Sequence, residues 1–151
     1  MITFWLSSYR QNAAFKQNDL YIEAVGNGLF SSLNYELQIT KSPGPGIRSG
    51  VGFYSDHAFY LTLPIAINYF FPLKRPSSFI EAAMGITPTR IDGKLFGKSD
   101  NPIGEHFVNF IPSLAYRRHT TADVMWKISL SPVINKFGFV PWLGVSIGKR
   151  F

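Results

Sequence analysis

From Asp19 to the end of the chain, apolar residues recur at every second position in short runs separated by turn-forming residues. Period two is the mark of a strand, whose successive side chains point to opposite faces of a sheet. In the run near 58–71, Phe59, Leu61, Leu63, Ile65, Ile67, Tyr69 and Phe71 share one face, opposite Tyr60, Thr62, Pro64, Ala66, Asn68 and Phe70. Near 123–133, Val124, Trp126, Ile128 and Leu130 oppose Met125, Lys127, Ser129 and Ser131. In the last run Leu143, Val145, Ile147, Lys149 and Phe151 alternate with Gly144, Ser146, Gly148 and Arg150. No stretch of helical period and no internal repeat competes with this reading.

Turn chemistry divides the chain into about eight strands. The first, near 19–26, meets Asn27-Gly28, the strongest short hairpin signal. The second, near 29–40, ends at Lys41-Ser42-Pro43-Gly44-Pro45-Gly46, a sequence no central strand tolerates. The others are predicted near 47–54, 58–71, 78–90, 106–117, 123–133 and 139–151. Their turns fall at Ser55-Asp56, at Pro72 to Pro76, over one long loop at 91–105, at Arg118 to Thr121 and at Asn135 to Gly138. Residues 1–17 lack periodicity and are expected to form an arm before a single barrel domain over 18–151. Evenly spaced strands of this kind build a sandwich or a barrel.

Alternation alone does not say which face points inward. A soluble barrel buries its apolar face, whereas a membrane barrel turns it to lipid. The chemistry of the second face decides. It carries Gly, Ser, Asn and Ala with a few isolated charges, Glu23, Glu36, Arg48, Glu81, Lys127 and Arg150, instead of the dense Lys and Glu that bulk water would favour. Scattered acids and bases among small residues suit a narrow lumen in which charges pair. The expected fold is therefore all-β, a closed antiparallel up-and-down transmembrane barrel. A soluble lipocalin-like barrel holding an apolar ligand is the main structural alternative.

Composition points the same way. Charged residues make up 16% of the 151 residues and aromatics another 16%, against roughly 25% charged in ordinary soluble domains. No segment approaches the ~20 apolar residues of a membrane-spanning helix. The apolar start, Met1-Ile2-Thr3-Phe4-Trp5-Leu6, is too short for a secretory signal, so the start is expected to be misassigned, or the chain a mature or truncated form. With no cysteine, disulfides and thiol chemistry are excluded.

The segments Tyr21–Tyr35 and Phe59–Phe71, with the ending Ser146-Ile147-Gly148-Lys149-Arg150-Phe151, resemble small outer-membrane barrels of the OmpA/OmpX type. The element Gly26-Asn27-Gly28-Leu29 followed by Asn34-Tyr35 is similar to one in an uncharacterised outer-membrane β-barrel family. The resemblance implies a bacterial outer-membrane location, and a C-terminal signal, Leu143, Val145, Ile147 and Phe151, read by the barrel-insertion machinery. Lys149 stands where such barrels usually carry an apolar or aromatic residue.

A periplasmic C-terminus would put the 91–105 loop outside the cell and the turns at 41–46, 72–77 and 118–122 in the periplasm. Lys41, Lys74, Arg75, Arg117, Arg118 and Lys149 would then form a basic collar facing anionic lipid headgroups, with Arg48 and Arg150 near the same end and Tyr69, Phe71 and Tyr116 as an aromatic girdle. The net charge of +6 fits such a partner.

Catalysis has one place to assemble, the extracellular rim, where His57 and His106 would meet Asp56, Glu105 and nearby serines. His106-Phe107-Val108 and His57-Ala58-Phe59 differ from the His-x-Ser segment of lipid A deacylases. The expectation is a structural or interaction barrel, not an enzyme. A lipid-modifying or lipid-binding barrel acting at that rim is the alternative. His57, His106 and His119 lie on separate turns without metal-ligand spacing, and Arg90, Lys94, Lys98, Asp92 and Asp100 read as a solvated face. No metal or cofactor, no nucleic-acid partner and no wide pore are expected, and the barrel is expected to be a monomer.

Overall fold

A computed structural model describes residues 15–56, 58–92, 106–135 and 138–151. These contain strands and turns and no helix. The strand segments are β1 (Asn18–Gly26), β2 (Leu29–Gln38), β3 (Pro45–Asp56), β4 (Ala58–Thr62), β5 (Ile65–Pro72), β6 (Ser78–Asp92), β7 (His106–His119), β8 (Val124–Leu130), β9 (Val133–Asn135), β10 (Gly138–Val140) and β11 (Leu143–Arg150). Three pairs are single walls interrupted at a proline. β4 and β5 both lie between β3 and β6 and break at Leu63-Pro64. β8 and β9 both face β7 and break at Ser131-Pro132, and β10 and β11 break at Pro141-Trp142. A proline has no N–H for the ladder, so the pairing lapses there without changing partners.

The result is an eight-strand antiparallel barrel. It closes where β1 pairs with β11, Asp19 opposite Arg150 and Ala24 opposite Val145. Closure removes the exposed edges that an open sheet would present. Several boundaries differ from expectation. β3 takes in Pro45-Gly46 and Ser55-Asp56, both expected as turns: Gly46 pairs with Gln38 and Asn68, and Asp56 with Ala58. β7 continues through Arg118 and His119, because Ser78 pairs with Arg118 and His119 with Met125, so the turn there is Thr120 to Asp123. β6 extends to Asp92, inside the predicted 91–105 loop. The rest of that loop, 93–105, lies outside the described residues, as do His57 and residues 1–14 of the arm.

The apolar faces point outward. Leu63, Ile65, Val145 and Ile147 are 46%, 52%, 58% and 61% exposed, whereas Thr62, Ala66, Ser146 and Glu81 are buried. A soluble barrel would reverse this. Aromatic side chains gather toward both ends of the outer wall. Tyr69 meets Phe71 at 4.7 Å and Tyr116 meets Trp126 at 5.6 Å, both tilted, near the end where β1 begins and β11 finishes, and Phe30 meets Trp142 edge-on at 5.5 Å near the other end. Aliphatic residues fill the band between, the arrangement of a membrane barrel.

Candidate functional site: the barrel interior

Inward-facing positions sort by height. Toward the end where β1 begins and β11 finishes, the described residues put four acids, Asp19, Glu23, Glu36 and Glu81, and four bases, Arg48, Arg117, Lys127 and Arg150, in the lumen, all buried. Tyr21, Phe70, Phe79 and His119 pack among them. Among the described residues, the opposite half carries uncharged polar side chains instead, including Asn27, Ser32, Thr62, Thr87, Asn109 and Ser131.

Arg117 is the hub of the ionic half. Its Nη1 donates to Glu36 at 2.7 Å and to Glu81 at 2.9 Å, its Nη2 to Asp19 at 2.8 Å, and its Nε to Nε2 of His119 at 3.0 Å. The guanidinium lies 4.5 Å over the Phe70 ring. A planar fork of five donors can serve several carboxylates from one buried position, which an ammonium cannot do with fixed geometry. Glu81 also receives Lys127 at 3.3 Å and faces Arg48 at 3.6 Å. Arg48 and Lys127 both reach the Tyr21 hydroxyl, at 3.0 and 3.3 Å, and Arg150 approaches Asp19 at 3.6 Å.

The structure therefore brings Glu36, Arg48, Glu81 and Lys127 together. Glu23 is buried one pleat further along β1, its carboxyl against Gly26, and Arg150 stands at the mouth where β11 ends. Arg117, expected in the basic collar, belongs to the lumen. Of the other collar residues, Lys41, Lys74, Arg75, Arg118 and Lys149 are exposed at the terminal end. Asp19, Tyr21 and His119 are lumen residues that the sequence reading did not assign. Strand parity held the signal: Arg117 shares its face with Ala115 and Asn109, both buried, while Leu114 and Arg118 face outward.

The second feature of the interior is the β1–β2 turn. Gly26, Asn27, Gly28 and Leu29 are buried, although a hairpin tip normally stands in solvent. Val25 and Leu29, which flank it, have φ of 55° and 70°, a left-handed conformation that is rare for a β-branched residue. These bends fold the turn into the bore. The Asn27 carbonyl accepts from Thr87 Oγ1 of β6 at 2.6 Å, and the Gly28 carbonyl from Thr62 Oγ1 of β4 at 3.0 Å. Since β6 lies four walls from β1, the turn reaches the opposite side of the barrel. Leu29 packs with Ile111 and Val133, with Trp142 beside them. Wall glycines leave the room: a Cβ on Gly52 would stand 2.8 Å from the Gly28 carbonyl, and one on Gly144 would strike the Val25 carbonyl.

In front of the terminal mouth, residues 15–17 are held against the barrel. Lys16 pairs with Asp123 at 2.6 Å and its carbonyl accepts from Arg150 at 2.9 Å, while Gln17 bonds to the Gln38 main chain. The Lys16 ammonium, through its hydrogen bond first and its charge second, holds the Asp123 carboxyl below its ordinary value of 3.8. At the other mouth, β7 starts at His106, but the side chains of His57, His106, Asp56 and Glu105, the one place where catalysis could assemble, are not among those described. Among those residues there is no group of three or more His, Asp or Glu side chains arranged to hold a metal.

No family model and no curated protein sequence matches the chain. Among solved structures it is similar to the N-terminal β-barrel domain of Pseudomonas aeruginosa OprF, with a TM-score of 0.64 at 12% identity over 89% of this chain and 96% of that domain. At that identity the likeness speaks for architecture alone: this chain has the fold of an OmpA-like outer-membrane β-barrel.

Proposed function

We propose that the chain is an integral β-barrel of a bacterial outer membrane with a structural or interaction role, and that its lumen is closed instead of forming a pore. The observation that carries this is the division of the interior between an ionic cluster with balanced charge and a hairpin turned into the bore. Eight strands leave an interior only wide enough for side chains, and here both halves of it are occupied. A soluble carrier of an apolar ligand would need an apolar interior; the ionic hub around Arg117 is the reverse. In this reading the terminal end faces the periplasm and Lys41, Lys74, Arg75, Arg118 and Lys149 meet lipid headgroups. Leu143, Val145, Ile147 and Phe151, all exposed on the outer wall, would be the C-terminal signal read by the insertion machinery. Specificity for a partner would reside in the 91–105 loop, and the barrel would act as a monomer.

Folding into vesicles followed by planar-bilayer recording tests both halves of the proposal. The expected result is a heat-modifiable species, migrating differently boiled and unboiled, that gives no sustained conductance. Steady single-channel currents from the wild-type chain would refute the closed lumen, and failure to enter either detergent or bilayer would refute the membrane reading itself.

A further inference from the structure

The outer wall is not uniform. Between β3, β5 and β6 it is recessed into a groove of about 460 Å³, lined by Ile39, Pro45, Ile47, Ile67, Tyr69, Ala82 and Met84 with almost no polar atoms, a size within the ~300–1,000 Å³ of small-molecule sites. The recess has a sequence cause. Tyr69 is paired to Pro45 on one side and Ala82 on the other, so two short side chains flank a large one. One pair further along, Ile47, Ile67 and Met84 form its floor at the level of the aliphatic band.

The groove runs up to the terminal rim, and both turns that rise there are basic. Lys41 sits in the β2–β3 turn, and Lys74 with Arg75 in the β5–β6 turn. All three are exposed and none forms an ion pair with a described residue. Neither turn, 39–44 or 73–77, contains an acid. Tyr69 of the groove meets Phe71 at 4.7 Å on the way to the β5–β6 turn, the level at which aromatic rings mark a membrane interface. Across this end Lys149 acts on the Asp123 carboxyl of the β7–β8 turn, and Arg150 approaches Asp19 at 3.6 Å.

We infer that this wall is a binding site for one anionic phospholipid, its acyl chain in the Ile39–Met84 groove and its phosphate between Lys41 and the Lys74-Arg75 pair. The inference rests on the membrane reading above but asks more of it. General lipid solvation needs only an apolar band; a site needs a recess and uncompensated charge over the same strands, and both are present. The occupant is a lipid and not a second copy of the chain, because another basic rim would set like charges against these three.

Native mass spectrometry of the full chain released from detergent tests it, with dioleoylphosphatidylglycerol and dioleoylphosphatidylcholine added in equal amounts. One phosphatidylglycerol is expected to be retained in preference. Reversing Lys74 and Arg75 to Glu should lower that preference, by about five-fold per charge. Ala82→Trp, which fills the groove from the exposed side, should release both lipids alike. Thr121→Glu, which adds an acid to the exposed β7–β8 turn away from the groove, should change neither. Equal retention of the two lipids, a loss as large with Thr121→Glu as with Lys74→Glu, or a dimer peak in place of the lipid adduct would overturn the site. Heat-modifiable migration of the same samples separates the outcomes: a barrel that folds but shows no preference rejects the lipid site alone, whereas one that does not fold rejects the membrane reading.

Discussion

Arg117 holds three carboxylates together from a position without solvent access, so its loss leaves Asp19, Glu36 and Glu81 facing one another. Breaking a buried pair by removing one partner costs about 3–5 kcal/mol, because the remaining charge is stranded. Arg117→Met should therefore lower the unfolding free energy by that order, read as a lower urea midpoint in detergent, and Arg117→Met with Glu36→Gln should recover part of the loss. A single variant as stable as wild type would mean that the cluster is hydrated. Glu81→Gln should also destabilise, since Lys127 and Arg48 both lean on that carboxylate. Asp123 offers a contrast at the exposed rim. Its carboxyl is held low in the folded chain, so the Lys16 contact contributes fully above the ordinary value of 3.8 and is lost as pH falls through the depressed folded value. Carbon-13 titration of the Asp123 carboxyl checks this: the midpoint should rise in Lys16→Ala, and an unmoved midpoint would remove the pair.

At the scale of elements, the infolded β1–β2 turn is the unusual part. A two-residue Asn-Gly loop is a common hairpin connection, and nothing in that pair announces that the tip will be buried. The grip comes from elsewhere, from Thr62 and Thr87 on distant walls and from the absence of side chains at Gly52 and Gly144. Thr87→Val removes one donor while keeping the shape and strands the Asn27 carbonyl, a cost of about 1–3 kcal/mol. With Thr62→Val added, the turn should spend more time out of the bore. Amide hydrogen exchange at Asn27 and Leu29 should then accelerate while exchange across β5 and β6 stays slow. Uniform exchange in the double variant and the wild type would show that the hydroxyls do not hold the turn. The prolines at 64, 132 and 141 are simpler: each interrupts a ladder whose neighbours on both sides remain the same.

For the whole molecule, stability and closure depend on opposite surfaces. The outer wall is apolar where lipid replaces water, and the interior is polar because its charges find partners only inside a closed ring. Opening the β1–β11 seam would expose both at once. Placing a charge on the lipid face at the seam, as in Ile147→Arg opposite Ile22, should cost about 2–4 kcal/mol near the bilayer midplane. Vesicle refolding yields read by gel migration should fall accordingly, while Ser146→Ala, on the inner face of the same strand, should leave the yield unchanged. Equal loss from both would argue that the two faces are not solvated differently.

The sequence by itself determined the strands, their number and which side chains share a face, because a pleated strand alternates whatever its neighbours are. That is why Leu63, Ile65, Val145 and Ile147 could be assigned to one surface and Glu36, Arg48, Glu81 and Lys127 to the other. Parity also held Arg117 and His119, but their nearness to a turn drew them to the rim until the β6–β7 and β7–β8 pairing carried the strand two residues further. Which charges meet, that one guanidinium serves three acids, and that Gly26-Asn27-Gly28-Leu29 lies across the bore were decided only by the closed ring. These contacts join walls far apart in the chain, and no local pattern records the distance across a barrel.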